Sequence, residues 1–164
     1  MRKQPDDLRT ARAFVWHAII GILLWTAGIA AVRAETTGAD CLALAVFTEA
    51  RGESWLGQAA VAQVALNRAA DPRWPDDLCS VVSQPEQFHG VRDWPKGREP
   101  IDVNPRAWRQ AQAVAVAVML ADYVVAPTLC ASATHFWAGP TPSWARGLKV
   151  VCEIDGHTFA IEVS

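Results

Sequence analysis

Downstream of residue 34 the chain is short of positive charge. Residues 35–164 hold ten Lys and Arg against fifteen Asp and Glu, a net charge of −5. Nucleic-acid binding needs a basic surface, so no nucleic-acid partner is expected. Polybasic attachment to an anionic membrane or wall is disfavoured on the same ground. No internal repeat or low-complexity linker interrupts the 164 residues, which is the length of one domain. No two cysteines have CxxC spacing, so a zinc ribbon is a poor reading. Tyrosine occurs once, beside eight tryptophans. A buried indole N–H needs a partner, so so many tryptophans imply either deliberate core placement or a flat platform for a ligand ring.

The first 34 residues read as a targeting segment. "MRKQPDDLRTAR" carries four basic residues, and Phe14 to Val32 then runs without a charge other than one on His17. Small Ala34 follows at a cleavage-like position. The favoured reading is a cleaved secretory signal. The run is also long enough to be kept as a transmembrane anchor. Either way the remaining residues, 35–164, form an exported domain. Cys41, Cys79, Cys130 and Cys152 all lie in that part. An even count in an exported domain suggests two disulfides, in one of three pairings.

The pattern after residue 34 is helices first and strands last. Asp40 is placed to cap a short buried helix that runs through Thr48 and ends at Gly52. "LGQAAVAQVALNRAADP" has helical apolar spacing and stops at Asp71-Pro72. Residues 71–100 are rich in Pro, Gly and Asp and read as a long ordered loop, with one helical piece around Cys79. Asn104 caps and Pro105 opens the clearest helix, which is expected to stop by Pro127. "ATHFWAG" and "KVVCEIDGHTFAIEV" are β-rich, with Asp155-Gly156 as a hairpin turn. The fold class is therefore α+β, with a small antiparallel sheet.

Leu42, Ala45, Val46 and Glu49 follow one another on a single helical stripe. A glutamate ending an apolar stripe is partly desolvated, which raises its pKa. A carboxyl that holds its proton near neutrality suits a general acid. Glu53 follows four residues on, across Gly52. The bland alternative is an ion-pair cluster at a helix end, with Arg51 bracing either acid. Two nearby carboxylates also suit glycoside hydrolysis.

The run "CLALAVFTEARGESWLGQAAVAQVALNRAADPRWPDDLCSVVSQPEQF" resembles the SleB/CwlJ family of cell wall hydrolases. The shared elements, in order, are E-A-R-G-E, G-Q, a helix ending in N-R, a D-P-R-W-P turn, a cysteine before V-V, and Q-F. The closing "ATHFWAGPTPSWARGLKVVCEIDGHTF" is similar more loosely. The resemblance covers about residues 40–160. It implies a lysozyme-like domain that cleaves the glycan strands of peptidoglycan as a lytic transglycosylase, without metal or cofactor. The first glutamate of E-A-R-G-E, here Glu49, would be the general acid, with Glu53 and Arg51 in support. Substrate contact is expected from Gln58, Gln87, Phe88, His135, Trp137 and Trp144. His135 and Trp137 alternate along a strand and so share a face, with Phe136 on the other. Asn67, Arg68 and His157 are read as structural. "EQFHGVRDWPKGREP" departs from the family pattern and bears on which strands are accepted. The domain is expected to be a monomer in the periplasm or cell envelope, with the N-terminal segment as its means of membrane anchoring.

Three rival readings remain at this stage. A zinc amidase cutting the muramyl–peptide link needs convergent ligands, but His89, His135 and His157 are scattered and no HxxxH pair occurs. A cysteine peptidase needs a free thiolate, which disulfide pairing would remove. A non-catalytic glycan-binding module would have no need of a carboxylate on an apolar stripe.

Overall fold

A computed structural model describes residues 38–85, 87–120 and 130–163. Residues 1–34, expected from the sequence to be a targeting segment, lie outside the described residues. Helix α1 is helical from residue 38 to residue 50. Asp40 is therefore inside the helix and is not its cap. Leu42, Ala45, Val46 and Phe47 of α1 are fully buried, as the stripe predicts.

Helix α2 spans Trp55–Ala69. Its N-cap is Ser54, whose hydroxyl accepts the Gly57 N–H at 3.2 Å. Ala59, Val61, Ala62, Val64 and Ala65 are buried around nearly the whole girth of this helix, which makes it the centre of the core. Helices α1 and α2 together supply most of the buried residues.

The segment expected to be a loop is more structured than its composition suggests. It contains α3 (Leu78–Val82), α4 (His89–Arg92) and α5 (Pro100–Val103). Asp77 caps α3, accepting from Ser80 N–H at 2.7 Å. Trp94 is held by its indole N–H, which donates to the Arg98 carbonyl at 2.7 Å. Its ring meets Phe47 edge-on at 5.5 Å. Apolar anchors of this kind order a segment that Pro and Gly alone would leave as loop.

Helix α6 (Pro105–Met119) begins as expected, with Asn104 accepting the Ala107 N–H at 3.0 Å and Pro105 in the first turn. It ends at Met119. The expected stop near Pro127 falls in residues 121–129, outside the described residues.

Three antiparallel strands follow: β1 (His135–Ala138), β2 (Lys149–Ile154) and β3 (His157–Ile161), in the order β1-β3-β2. A short 3₁₀ turn, Ser143–Ala145, lies between β1 and β2. The β2–β3 register slips between Val150 and Cys152, a bulge. The hairpin turn falls on Asp155-Gly156, and Asp155 rather than the glycine takes the positive φ of 52°. The α+β class is thus as read. Disulfides join Cys41 to Cys79 and Cys130 to Cys152. They staple α1 to α3 and tie the chain entering the sheet to β2.

The hairpin turn grips the start of α2. The Asp155 carboxylate accepts from Ser54 N–H at 2.9 Å and from Ser54 Oγ–H at 2.7 Å. Gly57 makes this approach feasible, since a Cβ there would lie 2.4 Å from Asp155 Oδ2.

Candidate active site

A cleft of about 540 Å³ is lined by residues from helices, loop and sheet. One end holds Glu49, from the last turn of α1. Its Oε1 accepts the backbone N–H of Gly90 at 2.7 Å. Burial raises its pKa; the Gly90 N–H and the nearby His89 and His157 pull it back down, and burial prevails. Gly90 must be glycine here. A Cβ would sit 2.5 Å from Thr48 Cβ and 2.9 Å from Glu49 Oε1.

His157 is buried on β3, paired across the sheet with Ala138. Its Nδ1 stands 3.8 Å from Glu53 Oε1, with no hydrogen bond. Glu53 therefore lies beside His157 and does not line the cleft. Among the described residues Glu49 is the one carboxylate that does.

The other end of the cleft is aromatic and cationic. Arg68, from the last turn of α2, is 3% exposed. Its Nε donates to the Thr134 carbonyl at 2.7 Å. Its guanidinium carbon stands 5.7 Å from the Trp74 ring centre and 5.6 Å from that of Phe88. Nη1 has no hydrogen-bond partner among the described residues. A buried donor left unpaired costs about 1–3 kcal/mol. Burial lowers the Arg68 pKa to about 10, so the group stays charged at neutrality.

His135 sits near Arg68, and its pKa is lowered by burial first and then by the Arg68 charge. Its Nδ1 is 3.0 Å from Thr134 Oγ1. Trp144 is 57% exposed and meets the buried Trp137 edge-on at 5.8 Å. The Trp137 indole N–H also lacks a partner among the described residues. The cleft thus combines a protonatable carboxyl, an open indole face and buried N–H donors. This suits a ring-bearing, polar ligand.

Glu49, Gln87, His135, Trp137 and Trp144 come together as the sequence suggested. Other expectations need correction. Gln58 is 2% exposed and outside the cleft; its side-chain amide donates to the Glu53 carbonyl at 3.2 Å. Phe88 is fully buried core, packed on Phe136 at 5.7 Å. Arg51 is exposed and stacks over Phe47 at 5.5 Å, so it braces no acid of the cleft. Phe136, expected on the opposite face from His135 and Trp137, lines the cleft with them.

Asn67 is structural as read, with its amide N–H groups donating to the Ala131 and Ala133 carbonyls at 2.8 and 2.7 Å. Arg68, His89 and His157 line the cleft and were not chosen. A signal for Arg68 existed. It ends the stripe Val61, Val64, Ala65, Arg68, the same pattern that singled out Glu49. His89 and His157 carried none. Among the described residues no three His, Cys, Asp or Glu gather as a metal site, which gives the zinc-amidase alternative no geometric support.

The chain was compared with known proteins. Residues 52–160 match the family model described as Cell Wall Hydrolase. The spore cortex-lytic enzyme of Halalkalibacterium halodurans is 48% identical over 52 residues, 32% of this chain. That of Bacillus subtilis is 46% identical over 52 residues, again 32% of this chain. These stretches make up only 16% and 17% of the two enzymes' own lengths. The catalytic domain of the Bacillus cereus SleB protein superposes with a TM-score of 0.59 at 25% identity, covering 77% of this chain and 91% of that one. The catalytic domain of the germination-specific lytic transglycosylase SleB from Bacillus anthracis gives 0.59 at 26% identity, covering 76% and 93%.

Proposed function

The chain belongs to the cell wall hydrolase family of the SleB/CwlJ type, and from that premise we propose that it cuts the glycan strands of peptidoglycan as a lytic transglycosylase. The bond broken joins N-acetylmuramic acid to N-acetylglucosamine. Glu49 gives its proton to the bridging oxygen as the glycosidic bond breaks. The resulting carboxylate then takes the proton of the muramyl 6-hydroxyl, which closes on its own anomeric carbon to form a 1,6-anhydro ring. Protons balance, and Glu49 ends as it began.

The observation that carries this reading is the raised proton affinity of Glu49 as the sole carboxylate lining the cleft among the described residues. Hydrolases that use two carboxylates need both flanking the scissile bond. Glu53, the nearest second acid in sequence, faces His157 instead. Trp144 offers a stacking surface for a sugar ring. The two disulfides fit action outside the cytoplasm, and we place the enzyme in the periplasm or cell envelope.

The test is a digest of purified peptidoglycan with residues 35–164, wild type beside Glu49→Gln, read by mass spectrometry. Soluble muropeptides ending in 1,6-anhydro-N-acetylmuramic acid are expected from the wild type. The variant should fold, bind glycan and lose nearly all turnover. Reducing-end products would make the enzyme a hydrolase and bring Glu53 forward. Free stem peptides, or an active variant, would overturn the assignment. Binding without turnover in the wild type would mark a glycan-binding module.

A further inference from the structure

The cleft has two electrostatically separate ends. The charges that act on Glu49 are those of His89 and His157. Arg68 is not among them; it acts on His135. A cation almost wholly removed from solvent normally finds a carboxylate partner. Arg68 has none among the described residues. Its Nε is taken by the Thr134 carbonyl, its faces by Trp74 and Phe88, and Nη1 is unfilled. Glu162 is the nearest source of compensation. It is half exposed, already bound by Arg73, and 3.9 Å from His135 Nε2. The site thus suits a negative group that the described residues do not provide.

Given the glycan-cleaving reading, on which this rests, we propose that Arg68 is the counter-charge for a carboxylate carried by the muramyl substituent of the substrate strand. A guanidinium edge pairs well with a carboxylate. N-acetylglucosamine has no such group, so the contact would tell the two alternating sugars apart and set the register of the strand along the cleft. The carboxylate has two sources: the free lactyl acid of a peptide-free strand, or an acid of the stem peptide.

Binding by calorimetry separates these. The probes are a peptide-free glycan tetrasaccharide with free lactyl acids, its methyl ester, the same tetrasaccharide bearing stem peptides, and chitotetraose. Each is titrated into the Glu49→Gln protein. The expected result is at least a tenfold preference for the free acid over the ester, equivalent to about 1.4 kcal/mol, weakening as salt is added. The preference should vanish in Glu49→Gln/Arg68→Gln. If acid and ester bind alike, but the peptide-bearing strand binds at least tenfold tighter and loses this with Arg68→Gln, the carboxylate is that of the stem peptide.

Equal binding of all four probes would overturn the carboxylate site and leave the glycan cleft standing. No binding of any probe would overturn both readings. The acid-against-ester comparison needs no change at Arg68, so it stands even if the second substitution unfolds the chain.

Discussion

Glu49 shows how one side chain gathers opposing influences. Burial favours its neutral form, while a backbone N–H and two histidines favour the charged one. The proposed first step uses the protonated acid, so on that proposal activity should fall as pH rises through the Glu49 pKa. The raised pKa moves that limb upward, toward neutrality. Replacing His89 with Gln removes a charge that lowers the Glu49 pKa, so the limb should shift to higher pH in a profile of kcat/KM. An unmoved limb would mean that another group sets it. Gly90 is a second residue-scale device. Gly90→Ala drives a methyl group into Thr48 and the acid itself. It should cost about 1–3 kcal/mol in denaturant unfolding and reduce activity more than ten-fold, since the acid must shift. The place of Glu49 in the cleft was legible in the sequence because an ionisable group on an apolar stripe is anomalous. Arg68 carried the same anomaly and was passed over, being read as a helix-end cation. His89 and His157 were not legible, because their placement depends on which loop and strand close over α1.

At the scale of elements, the contact that fixes the cleft is the clasp between the β2–β3 turn and the start of α2. Asp155 accepts two hydrogen bonds from Ser54 while holding a positive φ. Asp155→Ala loses both bonds and keeps the backbone penalty. About 1–3 kcal/mol of stability should be lost, and thermal unfolding will measure it. Asp155→Asn should retain most of it, as Asn tolerates this conformation. A loss no larger than that of an ordinary surface change would show that the clasp contributes little. The hairpin itself was readable from Asp-Gly between β-rich runs. Its docking on Ser54, about a hundred residues earlier, was not, because local sequence does not encode a long-range carboxylate contact. The same holds for the packing of the segment that carries α4 and α5, where Trp94 meets Phe47 edge-on.

For the whole molecule, the two disulfides close stretches separated by 38 and 22 positions. In the chain-entropy account each such closure contributes roughly 3–4 kcal/mol. Reduction should lower the melting temperature sharply, and Cys41→Ser/Cys79→Ser should reproduce part of the loss. A melting curve unchanged by reductant would show that the bridges do not form in solution. The fold class was legible from pattern, and the presence of disulfides from the even cysteine count. The pairing was not, since four cysteines allow three arrangements and only the folded chain chooses. Among the described residues no helix is long and apolar enough to cross a membrane.

The acid sits on one stretch of chain, and the amide that grips its oxygen arrives 41 residues later. Where Glu49 stands and how tightly it holds its proton are therefore written at separate addresses. Substitution of His89, whose charge lowers the Glu49 pKa, retunes the second without disturbing the first. A lineage entering a more acidic or more alkaline habitat can change its working range there, while Glu49 and the helix that carries it stay under undiminished constraint.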